Sequence, residues 1–131
     1  MKKRVIFICT HNSARSIMCE AILKHLYGDY YEVYSAGTNP TGIKEFTKVV
    51  LKEIGIDISD LYSKSIDEFH RKKFDFVITV CDSAKETCPF LPVGKNYIHK
   101  SFKDPLTLED FREVRDEIYE WIKEFFKVEG A

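Results

Sequence analysis

No run of apolar residues in this chain reaches the roughly 20 needed to cross a bilayer as a helix. There is no block of basic residues either: 20 Lys and Arg stand against 21 Asp and Glu, for a formal net charge of −1. That balance argues against a nucleic-acid footprint. It also means that an anionic ligand must be drawn by local charge, not by the field of the whole molecule. The opening Met1-Lys2-Lys3-Arg4 looks like the start of a secretion signal, but the apolar run behind it is too short and ends in polar residues. The chain is therefore expected in the cytoplasm, as a monomer, with no membrane or nucleic-acid partner. No repeat, linker or low-complexity stretch divides it, so residues 1–131 read as one domain. Cysteine is sparse, at four residues. In a reducing compartment such cysteines are reactive or buried thiols before they are structural bridges.

What is present is a chain with 44% hydrophobic and 31% charged residues, the balance of a globular domain. Strand and helix patterns alternate along it. Arg4–Ile8 reads as a first, buried strand, and Ser16–Tyr27 as a helix closed by Gly28 at its C′ position. Glu32–Ala36 is a second strand ended by Gly37, and Thr38–Gly42 is a loop. Ile43–Ile54 reads as a second helix with Phe46, Val49, Val50 and Ile54 on its buried face, closed by Gly55. Ser65-Ile66-Asp67-Glu68 is a capping-box pattern that opens a short helix. Phe74–Val80 is a third strand and Lys95–His99 a weaker fourth. Thr107-Leu108-Glu109-Asp110 opens a long helix with the stripe Leu108, Phe111, Val114, Ile118, Ile122 and Phe125. Alternation with connections of helical length predicts an α/β fold, a four-stranded parallel sheet with helices on both faces. Ligands of such sheets sit beyond the carboxyl ends of the strands. Cys9, Cys81 and Asp104 each follow a strand there.

The stretch Cys9-Thr10-His11-Asn12-Ser13-Ala14-Arg15-Ser16 carries the chemistry. It joins the apolar run Val5–Ile8 to the first helix. Such a loop points free backbone N–H groups at one spot, where the helix dipole adds positive character. The spot suits a tetrahedral oxyanion cradled by Thr10, His11, Asn12, Ser13, Ala14 and Arg15. Cys9 lies at its floor, where the same field favours a thiolate. Arg15 can grip two oxygens at once. A second constellation, Cys81-x6-Cys88-Pro89, follows the third strand. If its six intervening residues were helical, the two sulfurs would start about 10 Å apart. A disulfide needs Cα atoms within about 7 Å, so the segment would have to unwind to oxidise. The plainer alternative for Cys81 and Cys88 is two packed core thiols. Cys19, inside the first helix, reads as core packing.

The Cys9-x5-Arg15-Ser16 segment resembles the oxyanion loop of the low-molecular-weight protein tyrosine phosphatases and of the arsenate reductases that share their fold. The Cys81-x6-Cys88-Pro89 segment resembles the redox segment of the thioredoxin-coupled arsenate reductases, a pair not expected in ordinary phosphatases of this fold. Tyr34–Gly37, Gly55–Ser59, Asp104-Pro105 and Val114–Ile118 carry the similarity over nearly the whole chain. The resemblance implies a single-domain three-layer sandwich and a reaction without a cofactor. In it Cys9 attacks arsenate, Cys81 attacks Cys9 and expels arsenite, and Cys88 resolves the disulfide. A thioredoxin- or glutaredoxin-like protein then reduces the enzyme. It implies further that Ser16 hydrogen-bonds Cys9, that Asn12 braces the loop, and that Asp104 is the general acid or proton acceptor. Ser16 as a plain helix N-cap and Asp104-Pro105 as a plain turn are the alternatives.

Two departures from the reductase pattern stand out. His11 occupies a usual glycine position. A potassium ion braces the loop in some reductases, and Asn12, Glu20 and Ser35 match part of that site. Lys64, however, stands where an acidic ligand is expected, so its ammonium can replace the ion and no metal is expected. His70-Arg71-Lys72-Lys73 reads as a solvated helix end, with a docking patch for the reductant as the sharper option. Leu106-Thr107 after Asp104-Pro105 replaces the tyrosine usual in the phosphatases, which remain the rival reading. A thiol redox sensor without turnover is the second rival.

Overall fold

The computed structural model describes residues 2–81 and 91–126. Cys88 lies outside the described residues. Strand β1 (Lys3–Cys9) is followed by helix α1 (Arg15–Tyr27), β2 (Tyr31–Gly37) and α2 (Glu45–Glu53). A 3-10 turn (Ile66–Phe69), β3 (Lys73–Thr79), β4 (Val93–His99) and helix α3 (Leu108–Phe125) come after. The four strands are all parallel, in the order β2-β1-β3-β4.

Strand β1 is the axis of this sheet. Flanked on both edges and covered on both faces, it can be apolar without a break, and Val5, Ile6, Phe7 and Ile8 are all fully buried. The edge strand β4 is mostly exposed and correspondingly polar. From β1 the chain goes to β2 on one side and to β3 on the other. The crevice beyond β1 and β3 is thus a topological switch point, the usual ligand position in such sheets. Cys9 ends β1, and Thr79 pairs with Ile8, so the residues after β3 emerge beside the residues after β1.

The strands and the first and third helices fall where sequence periodicity places them, within two residues at each end. Several details differ. In α2 the buried residues are Thr47, Val50 and Leu51. Phe46 and Val49, expected on the inner face, are exposed at 42% and 37%. Phe46 instead lays its ring edge-on against Phe111 of α3, centroids 5.5 Å apart. At the end of α3, Phe126 is the ring in the core and Phe125 is 41% exposed. Phe126 packs edge-on against Phe7, Tyr31, Phe76 and Trp121. Ser65 opens a single 3-10 turn by accepting from the Asp67 N–H, while Glu68 turns away to accept from Tyr62. Gly28 ends α1 with φ of −61°, inside the right-handed region. Its glycine identity is a matter of contact: a Cβ there would lie 2.4 Å from the Lys24 carbonyl oxygen. The expected capping box of α3 forms in full between Thr107 and Asp110.

Candidate active site

The loop between β1 and α1 is shaped by what its carbonyls do. Those of Cys9, Thr10 and His11 accept from the N–H groups of Thr38, Asn39 and Thr41 at 2.7–3.2 Å. The Ser13 carbonyl accepts from Lys44 N–H at 3.1 Å and Thr47 Oγ1 at 2.8 Å. Ser63 adds a bond to the His11 carbonyl at 3.1 Å. With its carbonyls held by neighbouring segments, the loop turns the Asn12 N–H toward Cys9, where it donates to Sγ at 3.3 Å. The turn needs one left-handed residue, and Asn12 takes it at φ 49°, a conformation asparagine tolerates. It also needs Gly37 alongside, because a Cβ there would sit 2.6 Å from the Thr10 oxygen and 2.9 Å from Asn12 N.

Asn12 is the hub of a buried polar chain. Its Nδ2 donates to Ser16 Oγ at 2.8 Å and Ser35 Oγ at 2.9 Å, and its Oδ1 accepts from Lys64 N–H at 2.8 Å. Ser35 donates onward to Glu20 Oε1 at 2.6 Å. Since Ser16 Oγ accepts from Asn12, its own proton is left for Cys9 Sγ, 2.8 Å away. Glu20 is 3% exposed and Lys64 5%. A buried carboxylate requires a cation, and the chain supplies it: Lys64 Nζ lies 3.4 Å from Glu20 Oε1 and donates to the Tyr62 carbonyl at 2.6 Å. The ammonium therefore stands against the side chains that would have held potassium.

Arg15 closes the other side. Its Nη1 donates to the Phe102 carbonyl at 3.1 Å, and its Nη2 lies 3.5 Å from Asp104 Oδ1. Asp104 is well exposed, at 60% for its side chain. Cys81 is 1% exposed. Its thiol lies 3.7 Å from Thr10 Oγ1 and is hydrogen-bonded with Cys9. Cys9 and Cys19 are free thiols.

The Cys9 thiol is pushed well above its usual range, first by its hydrogen bond with Cys81 and then by burial, while Ser16 pulls it down. The loop field that favours a thiolate is opposed by this neighbour, since two adjacent sulfurs resist carrying two negative charges. Cys19 is fully buried in α1, and burial pushes its thiol upward too, as suits core packing. His70–Lys73 lies at the amino end of β3, the opposite rim from Cys9 and Cys81. Lys72 is spent on Tyr34, donating to its hydroxyl at 3.1 Å and lying over its ring. Sequence reading did not single out Phe102, Ser63 or Thr47. All three act here through or upon backbone carbonyls, which leave no mark in side-chain pattern.

A loop of this shape between the first strand and first helix of a four-stranded parallel sheet defines a class. Residues 4–129 match the low molecular weight phosphotyrosine protein phosphatase family, and the chain belongs to it. Within that class the similarity is to arsenate reductases. The arsenate reductase of Halalkalibacterium halodurans is 42% identical over 95% of both chains. A solved arsenate reductase in its phosphate-binding state superposes with a TM-score of 0.84 at 31% identity, over 95% of each chain. A thioredoxin-dependent arsenate reductase of Corynebacterium glutamicum gives 0.71 at 34% identity, over 94% of this chain and 61% of that one.

Proposed function

We propose that this chain is an arsenate reductase that works by a Cys9, Cys81, Cys88 relay. The observation that carries the reading is the buried Cys81 thiol, 3.7 Å from Thr10 Oγ1 and beside Cys9 at the floor of an oxyanion-type loop. A phosphatase needs no second sulfur there, because in phosphoester hydrolysis the cysteine attacks once and water then displaces it.

Arsenate enters the cradle of residues 10–15, gripped by Arg15 and the loop N–H groups. Cys9 forms a bond to arsenic. The thiol proton and an arsenate hydroxyl leave together as water, with Asp104 passing the proton. Cys81 then attacks Cys9 in line with the sulfur–arsenic bond. That bond's electron pair stays on arsenic, which leaves as arsenite carrying the Cys81 proton, and a Cys9–Cys81 disulfide remains. Cys88 attacks Cys81, returning Cys9 as a thiol. A dithiol protein of the thioredoxin or glutaredoxin kind reduces the Cys81–Cys88 disulfide. Ser16 and Asn12 hold Cys9 in place throughout. The chain acts as one 1–131 domain, a cytoplasmic monomer without a cofactor.

The phosphatase reading has Cys9, Arg15 and Asp104 in its favour. Against it, Leu106 and Thr107 follow Asp104-Pro105, and Leu106 is 75% exposed, so no tyrosine flanks an aryl group there. The deciding assay couples arsenate to consumption of a thioredoxin system. Steady turnover is expected in the native chain and none in Cys81→Ser. Cys88→Ser should complete one turnover and stop. Sustained turnover by Cys88→Ser would end the relay, and aryl-phosphate hydrolysis without arsenate turnover would establish the phosphatase.

A further inference from the structure

Phe102 follows β4 and stands between the two halves of the site. Its N–H donates to the carbonyl of Val80, the residue before Cys81, at 3.2 Å. Its carbonyl accepts Arg15 Nη1 at 3.1 Å. Its ring is 4% exposed. Trp121 meets that ring edge-on at 5.8 Å, and the Lys100 ammonium lies 5.5 Å from its centre. One residue, immobilised by its own side chain, thus holds both the stem of the second sulfur and the anion clamp. A guanidinium is a rigid planar fork. Fixing Nη1 on a carbonyl fixes the plane of the whole group, and with it the direction in which Nε and Nη2 point.

From these contacts we propose that Phe102 is a positioning residue for the reaction, holding the Arg15 fork and the Cys81 backbone in one fixed relation. The inference rests on the arsenate reductase reading and deepens it. An in-line attack by Cys81 on a group held by Arg15 depends on both being placed to within a fraction of an ångström. A residue that merely filled the core would lower stability when truncated and leave each folded molecule unchanged. Loosening Phe102 should instead displace clamp and sulfur together.

The test uses Phe102→Leu, which keeps apolar bulk and loses the ring contact with Trp121, in a Cys88→Ser background. Affinity for inorganic phosphate is measured by calorimetry. The rate of Cys9–Cys81 disulfide formation is measured by mass spectrometry with diamide, which takes one hydrogen from each thiol and needs no arsenate. Phosphate affinity and linking rate should both fall about tenfold or more. Ile22→Val, a core truncation toward the far end of α1, should leave both within about twofold. Native values in Phe102→Leu, loss of only one of the two, or an equal loss in Ile22→Val would overturn the proposal. Phe102→Met serves if Phe102→Leu does not fold. A native chain that binds phosphate and links Cys9 to Cys81 but turns over no arsenate would count against the reductase reading alone.

Discussion

Cys9 is pulled in two directions by its neighbours, and the two pulls can be separated. Ser16 donates to its sulfur and lowers its pKa, while Cys81 and burial raise it. Removing each group should therefore shift Cys9 oppositely. In Cys81→Ala the thiol should ionise at lower pH, so iodoacetamide modification of Cys9 at neutral pH should speed up. In Ser16→Ala the modification profile should move to higher pH, with the neutral rate falling about tenfold, in keeping with loss of a hydrogen bond to a charged acceptor. Mass-spectrometric rates between pH 6 and 10 check both. Shifts in the same direction would show that Cys81 does not control Cys9. In the proposed relay the sulfur that raises Cys9 is also the one that attacks it.

At the scale of elements, the active loop owes its shape to the end of β2. Gly37 pairs with Cys9 across the sheet and lies under Thr10 and Asn12. The obstructing atoms are backbone, which cannot swing aside as a side chain would. Gly37→Ala should therefore cost about 1–3 kcal/mol by overpacking, and should weaken phosphate binding well beyond what that stability loss explains. Urea unfolding and phosphate calorimetry measure the two parts. A variant with native phosphate affinity would show that the loop does not lean on β2. Helix α2 shows how far local pattern reaches. Its spacing marked a helix, but it could not tell which face would be covered. Thr47 is buried because the Ser13 carbonyl needs its hydroxyl, and that carbonyl is 34 residues away in the chain.

For the whole molecule, titration should bound stability on both sides. Arg112 and Arg115 hold Glu53 below the usual carboxylate range, and Lys103 with two backbone N–H groups holds Asp110 at about 2. Carboxyls depressed by folding contribute stability above their unfolded values, and it is lost as pH falls through the folded ones. Cys9 and Cys19 behave conversely. Both are raised above the ordinary thiol value of 9.0, so their contribution is complete below that pH and is lost as pH rises through the folded values. Urea unfolding should show a plateau near neutrality with losses toward pH 2 and above pH 9. Cys19→Ala should flatten the alkaline loss relative to its own neutral stability. Unchanged alkaline behaviour in that variant would remove Cys19 from the account.

The order of elements, the parallel sheet and the identity of the loop were legible in the sequence, because they rest on short-range facts. An unbroken apolar run marks a central strand. A polar loop before a helix marks an anion cradle, and a Thr-x-x-Asp start marks α3. The rim shared by Cys9 and Cys81 and the Lys64 ammonium beside Glu20 were expected from the sequence, but their contacts, and the Phe102 bridge as a whole, were decided by the tertiary structure. These contacts join residues 22 to 87 positions apart and depend on sheet register and backbone direction. The direction of the Cys9 shift followed from such a contact, since a thiol's charge responds to whatever lies a few ångströms away and not to its neighbours in the chain.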